Sequence, residues 1–310
     1  MAYRTQHNLL LDRKIFSDIA ANFIEWAGTF RVDNDGNLIP AKPGALSDLS
    51  INLNIKSSSK VPDGILGKTN FHELTKVFVW RAPGMRIGNF AENNLKIQEL
   101  SNAIKNASTN NDALEACEKI LEWGGNRNNK TGALPFLKSH PNLLTYLESV
   151  RQELNLKTAV ISADNKFTHV QLMNSMLTKV HSFFSNDGLP IYDSRVAGAV
   201  ATIVATWLAE KQIGGVNKMH PMLFPEVGAG GLRRSVLARY PDYGYRRKLN
   251  YPNRRHEDKS NKSFSHEWVA AKIRLGWLLE SLLEEKTPSG MRSLEACLFI
   301  AGYDCAAINR

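Results

Sequence analysis

Cysteine is scarce in this chain of 310 residues: Cys117, Cys297 and Cys305 stand far apart, with no C-x-x-C spacing. That excludes a disulfide framework and a cysteine-type zinc site, and it fits a reducing, cytoplasmic setting. The eight histidines also lack ligand spacing, so no metal and no other cofactor is expected. Long apolar runs are missing as well. The longest, residues 196–209, is too short to span a bilayer, and no membrane partner is expected. Residues 1–8 are polar and mixed, without the order of a secretory leader. Glycine (21) and proline (12) are too few for a collagen-like or wholly disordered chain. No internal repeat and no sustained heptad occurs. The carboxylates form no cluster of the kind a metal-dependent nuclease needs.

What is present is mostly helical periodicity. Apolar residues recur at helical spacing over residues 9–26, 92–106, 112–123, 142–154, 167–184 and 193–210, and again over 265–285 and 290–307. Asp35-Gly36 between short apolar runs predicts a small hairpin over residues 30–39. Residues 40–70, rich in Pro, Gly, Ser and Asn, read as loop. Within them Gly64 to Thr69 imitates a phosphate loop, but Pro62 occupies the place of its first glycine, so a turn is expected. The fold class expected is therefore mainly α, in three parts. These are an N-terminal helical region with a long loop (1–110), a helical domain (111–210), and a basic segment with C-terminal helices (211–310).

The net charge of +9, from 39 Lys+Arg against 30 Asp+Glu, is unevenly spread. Residues 233–262 hold ten basic residues against three acids, a net +7. They are Arg233, Arg234, Arg239, Arg246, Arg247, Lys248, Arg254, Arg255, Lys259 and Lys262, interleaved with Tyr240, Tyr243, Tyr245 and Tyr251. Guanidinium groups match phosphate geometry and tyrosines stack on bases, so a nucleic-acid partner is expected there. A solvated basic loop that only aids solubility is the plainer alternative. The segment starts from a Gly-rich stretch at residues 225–231, where a turn opening a short helix would aim N–H groups at a phosphate.

Two strings carry the chemistry: Thr178-Lys179-Val180, and Ile191-Tyr192-Asp193-Ser194-Arg195-Val196. Together they resemble the helix-hairpin-helix class of DNA glycosylases, especially the 8-oxoguanine glycosylase branch. In that class a lysine near the start of one helix is followed by a catalytic aspartate at the head of the next. Compact bacterial proteins of the same fold carry similar Tyr-Asp-Ser-Arg-Val and Trp-Gly-Gly strings, the latter matching Trp123-Gly124-Gly125. The resemblance covers residues 112–210 and implies a two-lobed helical glycosylase fold. It departs in one place: residues 174–177 lack the glycines of the hairpin that grips a DNA phosphate, which moves the grip elsewhere, onto residues 233–262.

The resemblance implies a monomeric enzyme acting on double-stranded DNA. It would excise a flipped modified base, either an oxidised purine or a hypermodified phage base, in repair or antiphage defence. Breaking an N-glycosidic bond builds positive charge on the sugar, which a fixed carboxylate at Asp193 would stabilise. A neutral amine at Lys179 could act as nucleophile and allow strand cleavage; if Lys179 is only a snorkelling lysine, Asp193 would activate water instead. Asp193 also stands where a helix N-cap belongs. Arg195 is a candidate phosphate contact. A flipped base needs a wedge and an aromatic pocket. Asn126 and Asn128 are candidates for the wedge, and Trp123 and Phe183, with Phe184, Trp268 and Trp277, for the pocket. A non-catalytic DNA- or RNA-binding protein on the same frame is the competing expectation.

Overall fold

Residues 194–210 are the most apolar stretch of the chain, and in the computed structural model they form helix α7 (Ser194–Glu210), buried from Val196 to Leu208. The structure describes residues 10–125, 132–213, 220–227, 248–249 and 259–309. Ala197, Gly198, Ala199, Ala201 and Ala205 keep α7 slender enough to be covered on all sides. Helices α1 (Arg13–Ala27) and α9 (Pro288–Ala301) and strand β5 (Glu226–Val227) pack on it, and α8 (Lys259–Ser281) packs on α1 and α9. The other helices form a second group. Here α2 (Phe90–Lys105), α3 (Asn110–Trp123) and α5 (Leu143–Glu153) surround the short, fully buried α6 (Leu177–Phe184), with α4 (Ala133–Ser139) against α3. The architecture is mainly α, as the periodicity implies.

Among the described residues three small sheets complete it. The expected hairpin exists as β1 (Thr29–Val32) and β2 (Leu38–Lys42), antiparallel, turning at Asp33, whose carboxylate accepts from the N–H groups of Asp35 and Asn37. The loop expected over residues 40–70 is overturned. Strands β3 (Ser50–Ile55) and β4 (Ile65–Asn70) pair antiparallel from Ser50↔Asn70 to Ile55↔Ile65, and β7 (Ile308–Asn309) adds to β3. Ile51, Leu53 and Ile55 point inward while Asn52 and Asn54 point out, a period-2 signal hidden by the polar composition. Most of the imitation phosphate loop is thus strand β4.

The helix expected over residues 167–184 forms only from Leu177. Ahead of it the backbone is claimed by other partners: Ser265 Oγ accepts from Met173 N–H, and Val170 O lies 3.1 Å from His266 Nε2. Asn174 Oδ1 then accepts from the N–H groups of Met176 and Leu177, at 2.9 and 3.0 Å, and so opens α6. Helix α8 begins at Lys259, six residues ahead of the expected start at residue 265. In the Gly-rich stretch, Glu226–Val227 is strand β5, paired parallel with β6 (Lys248–Leu249).

Candidate functional site

The two helices that carry the motif residues meet through the extended segment 189–193. Among the described residues this segment has no strand neighbour, and its backbone groups find partners among side chains. Ile191 N–H donates to Glu295 Oε2 (2.8 Å), and Tyr192 N–H donates to Thr178 Oγ1 (3.0 Å). Tyr192 O accepts from Trp268 Nε1 (2.7 Å), and Pro190 O accepts from Lys272 Nζ (2.6 Å). Lys272 is wholly buried, and its three N–H groups are shared among Pro190 O, Thr178 O, Thr178 Oγ1 and Ser182 Oγ. One ammonium group therefore clasps the first turn of α6 to the approach to α7. Burial pushes its pKa well below the ordinary lysine value.

This arrangement brings Lys179 and Asp193 together. Asp193 is the N-cap of α7: its Oδ1 accepts from Arg195 N–H (2.9 Å) and Val196 N–H (3.2 Å). Its other oxygen, Oδ2, lies 3.5 Å from Lys179 Nζ, which also donates to Ser175 O at 2.8 Å. Both side chains are 6% exposed, so the pair is shielded from solvent screening. Burial lowers the Lys179 pKa, Asp193 opposes the shift, and the Arg195 cation adds to it. The balance favours the neutral amine relative to an ordinary lysine.

The lysine stem needs room, and Gly124 supplies it. A Cβ at that position would lie 2.7 Å from Lys179 Cδ and 3.2 Å from Cε. Similarly, a Cβ on Gly302, just after α9, would lie 2.0 Å from Arg195 O, so α9 seats directly on the first turn of α7. These glycines hold their places because another chain segment fills the space a side chain would take.

Lys179 and Asp193 line a cavity of about 30 Å³ walled by Trp80, Trp123, Phe78, Phe90 and Phe299, with Arg292 and Glu295 at its border. Trp123 Nε1 donates to Asn93 Oδ1 (3.2 Å), and Trp80 Nε1 donates to Trp123 O (3.0 Å). Asn93 Nδ2 reaches the carbonyls of Trp80, Gly88 and Asn89. Asn93 thus fixes the Trp123 indole and the Trp80 backbone, and Trp123 O in turn holds the Trp80 indole. Arg292 pairs with Glu295, and burial raises the Glu295 pKa against the pull of that cation. No group of three or more potential metal-ligating side chains occurs among the described residues.

Of the expected site residues, Lys179, Asp193 and Trp123 come to one cavity. Phe183 does not line it but backs Trp123, with ring centroids 5.1 Å apart. Trp268 and Trp277 are buried elsewhere, donating to Tyr192 O and Leu156 O, so neither is a pocket wall. Arg195 is half-buried, its guanidinium 4.2 Å from the Tyr303 centroid, 4.7 Å from Phe299 and 5.4 Å from Trp80. Lys248 falls in β6, its side chain outside the description. Asn126, Asn128, Arg233, Arg234, Arg239, Arg246, Arg247, Arg254 and Arg255 lie outside the described residues. Sequence reasoning missed Trp80, Asn93, Lys272 and Glu295. For the last two a signal existed: each is a charge set in an otherwise apolar helix face.

Comparison with protein-family models, with curated proteins and with solved structures found no match. No helix among the described residues is long and apolar enough to cross a membrane.

Proposed function

We propose that this chain is a DNA N-glycosylase that releases a modified base, an oxidised purine or a hypermodified phage base, in repair or antiphage defence. The observation that carries the reading is the buried Lys179–Asp193 pair, 3.5 Å apart, at the wall of an aromatic cavity. The resemblance to helix-hairpin-helix glycosylases and the basic segment 233–262 support DNA as the substrate. In this reading the base departs with the glycosidic electron pair and takes up a proton. The charge left on the sugar is held by Asp193, whose orientation is set by two backbone N–H groups of α7. Attack by the neutral Lys179 amine on the sugar C1′ would give a covalent adduct, and ring opening would make it a Schiff base. Without that attack, water takes the same place and an abasic site results.

The test is mass spectrometry of free bases released from normal, oxidised and phage-modified DNA, with borohydride trapping alongside. Asp193→Asn keeps the cap, because asparagine caps as well as aspartate. It should lower base release by about 100-fold or more. Release unchanged in Asp193→Asn would refute the role. Lys179→Gln should abolish trapping; base release that survives it marks water as the nucleophile.

One observation favours a second reading, a binding protein without catalysis. The cavity of about 30 Å³ has room for roughly one water, not a base. This reading expects tight, salt-dependent binding with no base released from any duplex.

A further inference from the structure

Next to Trp80, a wall of the Lys179–Asp193 cavity, lies an open groove of about 520 Å³. Its walls are the loop after β3, with Ser59 and Lys60, the turn carrying Arg81 and Gly84, and the end of α3 with Glu122 and Gly125. The partition between groove and cavity is thin. Gly124 packs against the Lys179 stem, while Gly125, the next residue, lines the groove. Trp80 belongs to the cavity wall, and Lys60 Nζ stands 5.3 Å above its ring. Arg81 is exposed, and its N–H donates to Lys60 O, which fixes the two cations on one strip of backbone.

The hairpin that leads into this groove has an unusual outer face. Register pairs Asn52 with Lys68 and Asn54 with Leu66, and all four side chains are exposed. No carboxylate occurs on that face; the acids nearby are Asp63 in the β3–β4 turn and Glu122 across the groove. Two amides and an amine on that face, with Leu66 among them, stand beside a groove with two cations and match a sugar–phosphate strand, which takes hydrogen bonds and positive charge but offers few donors.

We infer that this groove holds the phosphate backbone of a bound DNA strand, with Lys60 and Arg81 each contacting a phosphate. The assignment gives the DNA a second hold, on the helical body and apart from residues 233–262. It rests on the nucleic-acid half of the reading above, not on its chemistry.

The experiment is the salt dependence of binding to an unmodified fluorescent duplex, using the full chain, K60Q/R81Q, and K157Q/K166Q as a control pair of exposed lysines outside the groove. Each lost phosphate contact removes about 0.9 from the slope of log K against log salt. K60Q/R81Q should therefore lose about 1.8 in slope and about 30-fold in affinity near 0.15 M salt, while the control pair keeps the wild-type slope. Thermal melts should be equal across the three proteins. Equal slopes in K60Q/R81Q and wild type, equal losses in both double variants, or no duplex binding by the wild type would each overturn the inference. If no base is ever released but the K60Q/R81Q slope falls as stated, the glycosylase reading fails and the groove stands. If bases are released and K60Q/R81Q binds and turns over as wild type does, the groove fails and the glycosylase reading stands.

Discussion

Acid should unfold this protein in part through one histidine. His181 sits in the middle of α6, fully enclosed, and neither ring nitrogen meets a hydrogen-bonding partner among the described residues. Burial, helped by the nearby Lys272 charge, pushes its pKa from 6.5 down to about 3. The unfolded chain takes up a proton near 6.5, whereas the folded chain refuses it until about 3. More protons are then bound in the unfolded state, so stability is full above 6.5 and falls as the pH drops through that window. At about 1.4 kcal/mol per pH unit the slope amounts to roughly 3 kcal/mol by pH 4.5, and about 5 kcal/mol over the whole window. The variant that isolates it is His181→Phe, which removes an imidazole with no hydrogen-bonding partner among the described residues. Urea unfolding of both proteins at pH 7, 6, 5 and 4.5 gives two profiles. Glu295, whose raised pKa acts in the opposite sense, contributes equally to both and cancels in the difference. A difference in stability that grows by about 1.4 kcal/mol per unit below 6.5 is expected. Any packing change from the larger ring shifts the variant profile vertically without altering that slope. Parallel profiles between pH 7 and 4.5 would show that His181 plays no part in the acid response.

Three further outcomes follow from the site. Gly124→Ala places a methyl 2.7 Å from Lys179 Cδ in a packed interior, so it should cost about 1–3 kcal/mol of stability while borohydride trapping falls about 10- to 100-fold. Asn93→Ala strands the Trp80 carbonyl and the Trp123 indole, while Gly88 O keeps its bond from Trp80 N–H, and should cost about 2–4 kcal/mol in urea unfolding. Lys272→Met leaves Pro190 O without its donor and should cost about 1–3 kcal/mol near neutral pH. Because the folded pKa of Lys272 is depressed, the wild type should gain stability as pH rises from neutral toward 10.5, and Lys272→Met should lack that part of the gain.

What could be read from sequence was whatever depends on neighbours along the chain. Asp193 was legible as a cap because Pro190 and an apolar run bracket it, and its two bonds to the start of α7 are local. Helix α7 was legible from composition alone. The β3–β4 pairing was obscured because the exposed asparagines between Ile51, Leu53 and Ile55 resemble a loop, and only the pairing reveals the alternation. The start of α6 was misplaced because a helical pattern over residues 167–176 is overridden by bonds from α8, some ninety residues away in sequence. The same distance hides most of the site. Lys272 reaches Thr178 across 94 positions, and Ile191 reaches Glu295 across 104. No local pattern encodes such contacts. Only the sign of the residue, a charge among apolar neighbours, hints that a partner exists.

The segment before Asp193 offers a way to watch the site without a substrate. In a sheet, amides are protected together because one ladder opens as a unit. Here the amides of Ile191 and Tyr192 are covered by two unrelated side chains, Glu295 and Thr178, drawn from different helices. Their hydrogen exchange is therefore two independent gauges: one reads the docking of α9, the other the docking of α6. Each can be silenced by a single substitution while the other still reports.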